Sequence, residues 1–62
     1  MWRISYLDLR NEKVEQKGGF ASDKAADDWA MEQEKSENII ALKILVWSEM
    51  LQNYRTVFEY TK

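Results

Sequence analysis

The chain has 62 residues, of which 45% are hydrophobic and 32% charged, with a net charge of −2 and neither cysteine, histidine nor proline. This composition predicts one folded domain over residues 1–62 and excludes intrinsic disorder, a disulfide scaffold and a thiolate zinc site. The commonest general base and the best nucleophile are both missing, so we expect no enzymatic activity, cofactor or metal site.

The first third of the chain has the pattern of a β-hairpin. Residues 2–9 alternate between two faces and are rich in aromatic and β-branched side chains, which favours a strand. Residues 10–13 form a polar turn candidate, and residues 14–17 then return as a second strand. Gly18-Gly19 breaks the alternation, which predicts either a strand end or a bulge.

Residues 22–37 carry the pattern of an amphipathic helix. Ser22 is a good N-cap, and Asn38 is a plausible terminator. At 100° per residue one arc is apolar or small, and the rest of the wheel is charged except for Met31. The apolar arc consists of Ala25, Ala26, Trp29, Ala30 and Gln33. We expect this arc to lie against a sheet.

The segment 39–52 allows two interpretations. Its β-branched content favours a strand over residues 39–48 with a loop at 49–53, although a helix from Ile39 to Gln52 is a real alternative. As a strand it has one aliphatic face (Ile40, Leu42, Ile44, Val46) and an opposite face that is also largely apolar (Ile39, Ala41, Lys43, Leu45, Trp47).

The last segment, residues 54–61, alternates again and predicts a strand. Its pattern places Tyr54, Thr56, Phe58 and Tyr60 on one face. The predicted order is therefore strand–strand–helix–strand–strand, an α+β domain in two layers: a small antiparallel sheet with one amphipathic helix on one face. Without a signal-peptide pattern or an apolar run long enough for a bilayer, we expect a soluble cytoplasmic protein.

Residues 2–34 contain a short aromatic strand, a polar turn, the sequence Lys17-Gly18-Gly19-Phe20, and Ser22-Asp23-Lys24-Ala25-Ala26 opening a helix. This half of the chain resembles the arm-type DNA-binding domain of phage and transposon tyrosine integrases, which inserts its sheet into the major groove. The resemblance implies DNA contacts from the N-terminal hairpin, made by Arg3, Arg10, Lys13 and Lys17. It makes a small phage- or mobile-element-type DNA-binding protein the alternative function.

Both faces of the predicted sheet carry bulky apolar side chains. In the first strand Leu7 and Leu9 lie opposite Trp2 and Ile4. In the strand predicted over residues 39–48, Ile39, Leu45 and Trp47 lie opposite the aliphatic face. One helix covers one face, and a soluble monomer rarely exposes the other as a large apolar patch. We therefore expect a protein-interaction module, as a homodimer or with another protein partner, in preference to a DNA-binding protein, whose family is basic. The predicted contact residues are Leu45, Trp47 and Met31.

Overall fold

A computed structural model describes all 62 residues and shows the α+β architecture that the sequence predicts. Its elements are, in chain order, β1 (Trp2–Asp8), β2 (Lys13–Phe20), α1 (Asp23–Glu34), β3 (Ile39–Ser48) and β4 (Asn53–Thr61). The strands form one antiparallel sheet in the order β2-β1-β3-β4, with α1 packed on one face. The segment 39–48 is a strand, so the helical alternative is wrong.

The core lies between α1 and the two central strands. Ala26 and Ala30 are buried and, being small, let the helix approach the sheet closely. Trp29 fills the space beside them, with its ring centroid 5.4 Å from that of Tyr6 and 5.9 Å from that of Phe20. The buried side chains of the sheet are all aliphatic apart from one carboxylate, and they are Ile4, Asp8, Ile39, Leu42 and Ile44.

The helix begins as predicted and ends earlier than predicted. The Ser22 hydroxyl accepts a hydrogen bond from the Ala25 amide at 3.2 Å, which is the N-cap interaction. At the other end the amides of Lys35 and Ser36 donate to carbonyls three residues back, and this tighter turn closes the helix at Glu34. Asn38 therefore lies in the link to β3 and does not terminate the helix.

The turn between β1 and β2 is held by one carboxylate. Asp8, which is 3% exposed, accepts hydrogen bonds from the Arg10 amide at 2.9 Å and from the guanidinium Nη2 at 2.6 Å. These bonds lower the pKa of Asp8. Leu9 lies in this turn and is exposed, so its predicted place on a sheet face is wrong.

Irregular pairing in β1 changes two of the predicted positions. Gly19, with φ of +86°, lies where the pairing of β1 with β2 shifts, and β2 continues to Phe20, so the glycine pair forms a bulge. A second shift, between Leu7 and Asp8, pairs Asp8 with Ile39. Ile39 is therefore on the helix side and 1% exposed, which contradicts its predicted place opposite Leu42.

A third irregularity divides β4 between the two faces. Phe58 pairs with Ile44 and Thr56 pairs with Leu45, which leaves Val57 as an extra residue. Phe58 and the following Tyr60 are thus on the helix side, whereas Tyr54 and Thr56 are on the other. The prediction of a single stripe along β4 is wrong for this reason.

The helix covers only part of its side of the sheet. It lies over β1, β2 and β3, and Phe58 of β4, beyond the helix, stays 43% exposed. At 12 residues α1 is also too short to cross a membrane, and no other helix is present.

Candidate interaction face

The face of the sheet opposite α1, here called the open face, has no element packed on it. Strand pairing places Leu7 and Ala41 opposite each other on this face, followed by Ser5 with Lys43 and Arg3 with Leu45. Trp47 continues β3 toward its end and pairs with Tyr54 of β4. The open face is therefore mixed, with apolar side chains toward both ends and the polar pair Ser5 and Lys43 between them.

Four large side chains run diagonally across the open face, from its middle beside Ser5 to the end at Trp47, and form what we call the aromatic band: Gln16, Arg3, Tyr54 and Trp47. The rings of Trp47 and Tyr54 meet edge to face, with centroids 5.3 Å apart and planes at 77°. The Arg3 guanidinium lies 5.3 Å from the Tyr54 ring centroid, and its Nη1 donates to the Gln16 side chain at 2.9 Å. The band is thus held in place by contacts among its own members.

The other end of the open face is concave. A groove of about 250 Å³ lies there because Ser5 and Ala41 are small and leave space between larger neighbours. Its lining is Ser5, Tyr6, Leu7, Val14, Ala41, Leu42 and Lys43. This volume is below the usual 300–1,000 Å³ of a small-molecule site, and the lining offers no converging set of polar groups. The groove suits one bulky apolar side chain better than a metabolite.

Charge is distributed unequally between the two sides of the domain. The open face carries three charged side chains, and two of these, Lys43 and Glu59, approach each other to 3.7 Å. Arg3 is the third. Helix α1 holds five of the eleven acidic residues, including Asp23, Asp27, Asp28 and Glu32. The open face is consequently the less acidic of the two surfaces.

The structure brings together two of the three predicted partner contacts. Leu45 and Trp47 are both on the open face, where Leu45 is half-buried and Trp47 is 37% exposed. Met31 is 61% exposed on α1, in the other layer, so it cannot share one flat surface with them. It could contact only a partner that approaches from the helix side.

The four predicted DNA contacts do not form one surface. Arg3 is on the open face, in the aromatic band. Arg10 forms an ion pair with the buried Asp8. Lys13 is the residue of β2 that lies opposite Asp8 in the strand register, on the helix side. The Lys17 ammonium lies 5.9 Å from the Trp29 ring centroid, also on the helix side. A ligand on the open face would therefore meet only Arg3 among the four.

Sequence reasoning missed the groove and the place of Tyr54 in the aromatic band. The small residues Ser5 and Ala41 are far apart in the chain, and only the register of β1 with β3 brings them close. No three side chains of the kinds that bind metals converge anywhere in the domain.

No protein-family model, curated protein or solved structure matches this chain. The resemblance of residues 2–34 to the integrase arm-type domain accordingly stays a prediction.

Proposed function

We propose that this chain is a small, non-enzymatic protein-interaction module that self-associates through its open face. The observation that carries the proposal is the uncovered apolar surface formed by Leu45 and Trp47 together with the groove beside Ala41. Ser5, Lys43 and Glu59 separate the Leu45–Trp47 patch from the groove, and exposed apolar patches rimmed by polar residues are typical of sites that bind other proteins.

The size of the core supports the same proposal. Six hydrophobic residues are buried, and below about 70–80 residues a single core rarely supplies more than about 3–5 kcal/mol. A partner that binds only the folded chain adds to this stability by mass action. Association through the open face would therefore stabilise the domain where disulfides and metal sites are missing.

Nucleic-acid binding is the second candidate, and one observation favours it. Arg3 and Lys43 lie on the open face with two aromatic rings, Trp47 and Tyr54, and cationic side chains beside aromatic ones suit stacked bases. This candidate is weaker because Arg10, Lys13 and Lys17 are on the helix side and the net charge is −2.

The test compares two substitutions that add the same charge to opposite layers, Leu45→Glu and Met31→Glu. A glutamate at position 45 lies opposite Arg3 in the neighbouring strand, which preserves the fold of the monomer, yet it opposes burial of the open face. Sedimentation velocity should show a dimer for the natural chain and for Met31→Glu, and a monomer for Leu45→Glu. A natural chain that stays monomeric, or a dimer lost only in Met31→Glu, would overturn the proposal.

The same samples decide between protein and nucleic acid. Fluorescence anisotropy with labelled single-stranded and duplex DNA at low salt should show no binding by the natural chain. Salt-dependent binding that weakens in Arg3→Gln would instead establish the second candidate, because phosphate contacts release counterions as they form.

A further inference from the structure

We draw no further inference here: the strongest candidate, the free edge of strand β4 with the exposed side chains of Val57 and Phe58, carries no proposal because nothing in the structure shows what pairs with that edge or covers those side chains.

Discussion

The same strands build both faces of the sheet, but the helix covers side chains on one face and leaves those on the other accessible to solvent. On β3, Leu42 and Ile44 point toward α1 and are about 1–2% exposed, whereas Leu45 of the same strand lies on the open face, half-buried, and Trp47 beside it is 37% exposed. Side chains alternate along a strand, so a continuous apolar run supplies a core and an exposed surface at the same time. One helix covers the first and nothing covers the second.

Apolar content alone therefore does not locate the core. The helix side is defined by Ala26 and Ala30, whose small side chains permit close packing. The open side has an alanine of its own, Ala41, but no element lies above it, and the result is a groove. The same residue type therefore marks a close helix contact on one face and an open groove on the other.

The largest expected difference between the two faces comes from truncating one leucine on each. In conditions where the chain is monomeric, Leu42→Ala should lower the free energy of unfolding by about 3 kcal/mol, because it leaves a cavity under α1. Leu45→Ala should cost less than about 1 kcal/mol, since its side chain is already partly in water. Urea unfolding measures both. Equal losses would contradict the division of the faces. Should Leu42→Ala fail to fold, Ile44→Val, with an expected loss of about 1 kcal/mol, replaces it.

The alanines provide the next test. Ala30→Leu should destabilise the monomer by about 2 kcal/mol, because the larger side chain has to push α1 away from the sheet. Ala41→Leu enlarges a residue that lines an open groove and should change the free energy of unfolding by less than about 0.5 kcal/mol. Thermal or urea unfolding of both variants checks the contrast. A costly Ala41→Leu would show that the groove is closed in the monomer.

Two tyrosine hydroxyl groups, one on each face of the sheet, also differ in their hydrogen bonding. The Tyr6 hydroxyl donates to Glu15 at 3.1 Å, and burial together with that bond raises the pKa of Tyr6. Tyr6→Phe should therefore cost about 1 kcal/mol, whereas Tyr54→Phe, whose hydroxyl has no hydrogen-bond partner, should cost almost nothing. Because the pKa of Tyr6 is raised in the folded chain, its contribution is complete below about pH 10 and is lost as the pH rises further. A larger loss of stability in Tyr54→Phe than in Tyr6→Phe would show that the Tyr6–Glu15 hydrogen bond does not stabilise the fold.

The smallest expected effect is the loss of stability at acid pH, which arises from Asp8 on the helix side. The Arg10 hydrogen bonds lower the pKa of Asp8 in the folded chain, so the unfolded chain takes up this proton at the higher pH. The stability that Asp8 contributes is present above about pH 4 and is lost as the pH falls through its folded value. Unfolding measured from neutral to acid pH should show a shallower loss in Asp8→Asn than in the natural chain. Identical slopes would mean that the Asp8–Arg10 contact does not form in solution.

Local sequence signals predicted much of the fold. Ser22 marked the start of the helix because a hydroxyl can cap its free amides, and the alternation of residues 2–9 indicated β1. The β-branched run indicated β3. Each of these depends on neighbours within a few residues. The order of elements and the two layers follow from them, since one apolar helix arc requires one sheet face.

The bulges near Asp8 and at Val57 could not be predicted, and they account for the wrong faces assigned to Ile39 and along β4. A bulge depends on how two strands meet, which no single segment records. The shift near Asp8 moved Ile39 into the core, and the extra residue Val57 separated Tyr54 from Phe58. The aromatic band and the groove arise from these pairings, so the sequence indicated Leu45 and Trp47 as contacts but not the surface they belong to.

Association through the open face is expected to bury that face and to leave the helix side unchanged, and methyl NMR on dilution follows both surfaces in one experiment. Between about 1 mM and about 10 µM, a range in which a modest dimer dissociates, the methyl resonances of Leu7, Ala41 and Leu45 should shift together. Those of Ile4 and Leu42 in the core and of Met31 on α1 should stay constant. Shifts at Met31 with none at Leu45, or no shift anywhere, would contradict the account.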